Sequence, residues 1–248
     1  MEISNNNKTE KLTKEKLLVK KLLNHGFFKT VKRISYLPYD INFALRVVIE
    51  IGKNRESKFT IDKENEFVFT NLIRWVHADP EFQCLDLKTE KIEKGDLTKG
   101  IYIAGNTGTG KSMALEIISE YTKIEEITFK AGGIDKKLSF ESNRTDDICA
   151  YYSKTGDLTK YKKNKIICFQ DLGSDSEPLE SLYMGNRLSV MQAILESRGD
   201  KSDQITLITS NLPLLHKSFL DKYHDRVVSR LFKKVNYFEL KGIDRRKI

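Results

Sequence analysis

The octapeptide Gly105-Asn106-Thr107-Gly108-Thr109-Gly110-Lys111-Ser112 fits the spacing G-x-x-x-x-G-K-[ST] at every position. Residues of these types at this spacing bind phosphate. The glycines let successive backbone N–H groups turn toward anionic oxygens, and the N-terminus of a following helix adds partial positive charge. Lys111 would reach the β- and γ-phosphates of a nucleotide, and Ser112 would offer its hydroxyl to Mg²⁺. A glycine-rich turn that carries Lys-Ser by accident is the competing reading. It is disfavoured by context, because Ile101 to Ala104 supplies an apolar strand before the loop and Met113 to Ile118 a helix after it.

About sixty residues beyond Lys111, Ile166-Ile167-Cys168-Phe169 is a second apolar run, followed by Gln170-Asp171-Leu172-Gly173. An acid at the end of such a strand holds Mg²⁺ or polarises the attacking water. Only Asp171 is acidic here. Either Asp171 activates water while Mg²⁺ leans on Ser112 and water, or the strand shifts and Asp171 serves the metal. A cap or turn before Gly173 is the plainer role for the same residue. Gln170 is neutral and a weaker Mg²⁺ ligand, so hydrolysis is expected to be slow, and Gln170→Asp is expected to raise it.

A further apolar run, Ile205 to Thr209, ends in Ser210-Asn211-Leu212-Pro213. Taken alone that is a turn sequence. In the order phosphate loop, acidic strand, polar strand tip, Asn211 becomes the candidate to stand beside the γ-phosphate and orient water. Arg226 and Arg230, four residues apart, share one helix face. Either could reach a neighbouring subunit's nucleotide, with Arg230 preferred, because a guanidinium stabilises developing phosphate charge. Both could equally pair with surface carboxylates.

These residues need a scaffold that brings strand tips together. Short apolar runs separated by helical stretches are the pattern of a parallel sheet with crossover helices. The runs are Ile101 to Ala104, Ile124 to Phe129, Ile166 to Phe169, Ile205 to Thr209 and Val235 to Leu240, with a helix carrying Leu188, Met191, Ile194 and Leu195 between the third and fourth. The expectation is a three-layer α/β sandwich on a parallel five-stranded sheet. Before it, Lys8 to Arg33 is strongly basic with Leu18, Leu22 and Leu23 at helical spacing, and Phe69, Leu72, Ile73 and Val76 mark one face of a helix that ends before Asp79-Pro80. The basic segment reads as an amphipathic helix that either packs on the main domain or grips a partner or DNA. The division expected is residues 1–85, mainly helical and partner-binding, and residues 86–248, the nucleotide-binding domain.

The 248 residues carry a formal charge of +8, which suits anionic partners and also suits simple solubility. Three cysteines in no repeating spacing point to a reducing compartment. The polar N-terminus has no apolar signal-peptide centre, and no run approaches the ~20 apolar residues of a membrane span. A cytoplasmic protein with no membrane partner is expected.

The segments Gly-Asn-Thr-Gly-Thr-Gly-Lys-Ser, Gln-Asp-Leu-Gly, Thr-Ser-Asn-Leu and Arg-Val-Val-Ser-Arg-Leu, in that order over about Lys99 to Arg246, resemble the DnaC helicase loaders and IstB transposition ATPases. The resemblance implies an AAA+ core without a C-terminal lid, ATP and Mg²⁺ as cofactors, and ATP-dependent homo-oligomers that bind DNA. Its implied partner is a replicative helicase, acting on single-stranded DNA, or a transposase on duplex DNA. Matched by position, Lys111 and Ser112 belong to the phosphate loop, Asp171 to the second acid of Asp-Asp-Leu-Gly, Asn211 to the sensing strand tip and Arg230 to the arginine of Ser-Arg-Leu. Gln170 departs from the family's first acid, which leaves a nucleotide-binding switch with little turnover as a further reading. The arginine that would act from a lid is left unassigned, with Arg245 and Arg246 as terminal candidates.

Overall fold

The computed structural model of the chain describes residues 14–19, 21, 30–36 and 38–247. Residues 14–19 and 21 are helical, and the remainder of the expected basic helix up to residue 29 lies outside the described residues. That helix does not run to Arg33. Val31–Arg33 is instead strand β1, in which β-branched Val31 is buried. It lies antiparallel to Thr128–Ala131 (β5), which pairs in turn with Ile134–Lys137 (β6) to complete a small three-stranded sheet.

The main sheet has seven strands. In chain order they are β2 (Gln83–Leu85), β3 (Ile92–Lys94), β4 (Gly100–Gly105), then, after β5 and β6 of the small sheet, β7 (Ser142–Arg144), β8 (Ile166–Gln170), β11 (Ile205–Ser210) and β12 (Val235–Leu240). Strands β9 (Ser181–Tyr183) and β10 (Asn186–Leu188) form a separate hairpin. The spatial order is β3-β2-β12-β4-β11-β8-β7. The five strands from β12 to β7 are mutually parallel, and β2 and β3 extend the sheet antiparallel at one edge.

The expected count of five parallel strands is therefore met with one substitution of membership. The run from Ile124 to Phe129 is not in the main sheet: Ile124 ends a helix, and Phe129 lies in β5. Its place is taken by β7, Ser142-Asn143-Arg144, a three-residue edge strand that needs no apolar run because it is covered on few sides. Leu188 likewise belongs to β10 and not to the helix that follows it.

Alternation along the buried strands creates two cores. Ile101, Ile103, Cys168, Leu207 and Phe238 face α1 (Ile41–Arg55), α2 (Glu66–Val76) and α3 (Lys111–Ile124). Tyr102, Ala104, Phe169, Ile208 and Tyr237 face α4 (Thr145–Thr155), α5 (Thr159–Lys163), α6 (Val190–Gly199) and α7 (Lys217–Lys234), the last broken at His224 (φ 61°, ψ 159°). The three-layer sandwich is as expected. Phe69, Leu72, Ile73 and Val76 are all buried on α2, in the same core as the strands, so the segment before residue 86 packs directly on the parallel sheet. All three cysteines are buried thiols.

The central pair β4 and β11 approach so closely that a Cβ added at Gly100 would lie 1.9 Å from the Thr206 carbonyl oxygen. Gly100→Ala should cost about 3 kcal/mol or prevent folding, since backbone on a central strand cannot yield. Urea unfolding followed by circular dichroism measures this, and an unchanged midpoint would contradict the pairing of these two strands.

Candidate functional site

Strand β4 is fully buried and delivers the chain at Gly105 to the carboxyl edge of the sheet, where α3 begins at Lys111. The loop between them turns through Gly108 (φ 80°) and Gly110 (φ 93°), backbone values that L side chains rarely adopt. Thr109 Oγ1 donates to the Asn106 carbonyl at 2.9 Å and tightens the turn from within. The Lys111 ammonium, on a residue only 5% exposed, donates to that same carbonyl at 2.7 Å and to Asn211 Oδ1 at 2.9 Å. Asn211 follows β11, the neighbour of β4, so a single side chain ties the loop to the adjacent strand tip.

Thr209 organises the same edge. Its hydroxyl lies 3.3 Å from Ser112 Oγ and accepts the Asp171 N–H at 3.2 Å, while its carbonyl accepts the Leu172 N–H at 2.9 Å. Ser210 Oγ then donates to the Leu172 carbonyl at 2.6 Å. Asp171 therefore leaves β8 in a left-handed turn (φ 58°), with its carboxylate 3.5 Å from Arg144. The turn is fastened further on by buried Glu177, whose carboxylate accepts the Gly173 N–H at 2.9 Å and the Tyr223 hydroxyl from α7.

Gln170 points elsewhere. Its Nε2 donates to Glu116 Oε1 at 2.7 Å, on α3 one turn beyond Ser112. The other Glu116 oxygen accepts from Arg55 at 2.5 Å, and Arg55 also binds Glu120 at 2.5 Å.

A cavity of about 760 Å³ opens over the loop. Thr107 to Met113, Asp171, Ser174 and Asn211 line one end, and Leu240 and Arg245 the side. The far wall comes from the segment after α1: Lys58, Phe59, Thr60, Asp62, Asn65 and Phe69. Asn65 shapes that wall by donating to the Thr60 carbonyl at 3.1 Å and accepting the Asp62 N–H at 2.8 Å. A lining that combines a phosphate-type loop with the rings of Phe59 and Phe69 suits a ligand with an anionic tail and a flat apolar head.

The segment after β12 closes the cavity's flank. The Arg245 N–H donates to the Gly108 carbonyl at 2.9 Å, and the Asp244 carboxylate fills the space a Cβ at Gly108 would need. The Arg245 guanidinium grips Asp62 with two bonds of 2.8 and 2.9 Å and holds its carboxyl below the usual carboxylate range. The side chain of Arg246 lies outside the described residues.

Of the residues singled out from sequence, Gly108, Lys111, Ser112, Asp171 and Asn211 thus meet at one cavity, and Arg230 does not line it. Arg230 packs on Gly199 and pairs with Asp200 at 2.6 Å, and Arg226 is exposed. Sequence reasoning missed Thr209, Glu116, Phe59 and Asp62. The phosphate loop on the middle of a parallel sheet, with an acidic strand end and a polar strand tip beside it, defines a P-loop nucleotide-binding fold. No family model and no curated protein matches the chain. Among solved structures it is similar to a candidate primosome component from Streptococcus pyogenes serotype M3, at 18% identity over 77% of this chain and 87% of that one, with a TM-score of 0.49. It is also similar to domain III of the Thermotoga maritima replication initiation protein DnaA (16% identity, 82% and 69% covered, TM-score 0.48). A third similar structure is the DnaC helicase loader (17% identity, 75% and 95% covered, TM-score 0.45). Among the described residues no helix is long and apolar enough to cross a membrane.

Gly108→Ala would expel Asp244 and release the C-terminal segment. Amide hydrogen exchange at residues 241–247 should then accelerate roughly tenfold while β4 keeps its protection. Equal protection in both proteins would show that the segment is held by something other than this contact.

Proposed function

We propose that the chain is a DnaC-like AAA+ ATPase of DNA replication, which binds ATP and Mg²⁺ in the 760 Å³ cavity and loads or remodels a replicative helicase on single-stranded DNA. The observation that carries the nucleotide reading is the Lys111 ammonium bonded to Asn211 at the loop end of the cavity, with Ser112 and Asp171 joined through Thr209. The replication reading rests on the ordered motifs that resemble the DnaC and IstB proteins. In this reading Gly105, Asn106, Thr107, Gly108, Thr109 and Gly110 cradle the phosphates, and Phe59 and Phe69 flank the base.

The residues present suit Mg²⁺, which favours one or two carboxylates, a hydroxyl and phosphate oxygens over a closed protein cage. Ser112 offers the hydroxyl and Asp171, which lines the same cavity, a carboxylate. When bound, the metal would neutralise charge on the transferred phosphoryl group. Asp171 and Asn211 orient the attacking water.

Arg230 acts in trans on a neighbour's nucleotide in this proposal, which fits its absence from the lining of its own cavity. Its pairing with Asp200 must be exchanged for phosphate on assembly. The division at residues 85 and 86 is then one of task, with residues 1–85 gripping the helicase in the cytoplasm while residues 86–248 hold nucleotide and DNA. The neutral amide of Gln170 favours a second reading, a nucleotide-dependent switch with little turnover.

Phosphate release with and without single-stranded or duplex DNA separates these. Wild type should bind ATP and turn over faster with single-stranded DNA; Lys111→Ala should lose both activities by at least about a hundredfold. Tight ATP binding with no phosphate release under any DNA condition would leave the switch standing, and preference for duplex would favour the transposition partner.

Arg230→Ala should leave ATP affinity within about twofold and reduce turnover about a thousandfold. Loss of binding in that variant would instead assign Arg230 to its own subunit's site.

A further inference from the structure

The nucleotide cavity uses the carboxyl edge of the parallel strands. The opposite, amino edge lies one strand length away, about 17–20 Å for strands of five or six residues. Parallel pairing delivers every residue that precedes a strand to that same edge. Lys234 stands directly before β12, Lys99 directly before β4 and Lys165 directly before β8, while Lys201 precedes β11 by four residues. These four strands are adjacent in the sheet, at a spacing of about 4.8 Å, so each step along the edge carries a lysine.

The row is fastened by the main chain. Lys234 Nζ donates to the Lys201 carbonyl at 2.8 Å, and Lys201 Nζ donates to the Lys162 carbonyl at 2.9 Å. Both ammonium groups are anchored on neutral oxygens, which leaves their charge uncancelled. Beneath them Arg198, only 3% exposed, donates to the carbonyls of Tyr161, Asn164 and Ile205 and to the Thr206 hydroxyl. Among the described residues no carboxylate bonds to it. Burial and the cations Arg198, Lys165 and Lys163 hold the Lys201 ammonium below its usual lysine pKa, against the pull of Asp203.

The acids near the row are already engaged. Asp203 pairs with Lys165, Asp200 pairs with Arg230, and Asp96 accepts from Thr98. Lys162 and Lys163, at the end of α5, have no carboxylate bonded to them among the described residues. Exposed aromatic rings flank the cations: Tyr151, edge-on to Tyr161 with centroids 6.0 Å apart, and Phe232, next in the chain to Lys233. Cations in series with rings at their sides suit a strand of phosphates and bases better than an acidic peptide, whose carboxylates give a ring nothing to stack on.

We propose that the amino edge of the parallel sheet, from Lys162 and Lys163 through Lys201 to Lys234, is a nucleic-acid-binding surface that takes the phosphate backbone. The inference rests on the DNA-binding part of the reading above and gives it a location. It makes no use of the nucleotide cavity, so ATP and nucleic acid bind at opposite edges without competing.

The test is a titration of the full-length protein against fluorescently labelled single-stranded and duplex DNA of one mixed sequence, with anisotropy read between about 50 and 200 mM salt. Lys162→Gln with Lys163→Gln removes two surface charges and leaves the main-chain acceptors of the row in place. It should weaken binding roughly tenfold at about 100 mM salt and lower the slope of log affinity against log salt by about 1–2. Lys162→Arg with Lys163→Arg should keep both values. Lys88→Gln with Lys91→Gln, the same change of charge beside edge strand β3, should stay within about twofold of wild type. The larger loss, on the single strand or on the duplex, names the form that this edge takes.

Wild-type affinity and slope in Lys162→Gln with Lys163→Gln would overturn the surface while leaving DNA binding by the chain intact. An equal loss in the Lys88 and Lys91 variant would also overturn it, by reducing the effect to net charge. Displacement of the DNA by polyglutamate at equal charge would overturn the choice of partner in favour of an acidic protein. No binding of either DNA by wild type would remove the DNA part of the proposed function and this inference with it.

Discussion

The site depends on the side-by-side parallel pairing of β4 with β11. Every group proposed to meet the phosphates of its own subunit's nucleotide follows the carboxyl end of one of those two strands or of β8, their neighbour. The pairing places Ser210 opposite Ala104, which brings Asn211 within reach of the Lys111 ammonium and Thr209 within reach of Ser112. Parallel strands bring loops of one kind to one edge, so a change in register would displace the lysine's partner and the serine's partner together. The absence of a side chain at Gly100 is what permits that closeness at the opposite end of the pair.

Around this edge the chain closes a ring of long-range contacts. Arg245 joins residues 183 positions apart when it grips Asp62, and its backbone joins the C-terminal segment to Gly108. Two walls of the cavity, the segment after α1 and the segment after β12, are therefore fastened to each other as well as to the phosphate loop. A ligand spanning Phe59 and Lys111 would touch three parts of the sequence that have no local reason to meet.

That distribution explains what could be read in advance. The loop, the strand that feeds it and the helix that leaves it are contiguous, and their periodicities and glycines are local signals. The parallel strands from Ile101, Ile166, Ile205 and Val235 were legible because each is buried on both faces and reads as an almost unbroken apolar run. Strand β7 was not, because an edge strand reading Ser-Asn-Arg carries no such run. The apolar stretch near Phe129 has strand character but serves the small antiparallel sheet with Val31, a choice made by tertiary pairing. Phe59, Asp62 and Arg245 sit in polar stretches whose convergence exists only in the folded chain.

Gln170 breaks the local rule for its position, and the compensation lies 54 residues earlier. Arg55 already balances two carboxylates, Glu116 and Glu120, and Asp171 stands at the next position of the chain. An aspartate at 170 would set another negative charge beside Glu116, whose guanidinium partner already pairs with Glu120. A glutamine at 170 adds no charge and donates to the acid that faces it. Glu116 and Gln170 are chemically matched as a pair, a neutral donor at a strand tip facing an acid on the helix packed against it.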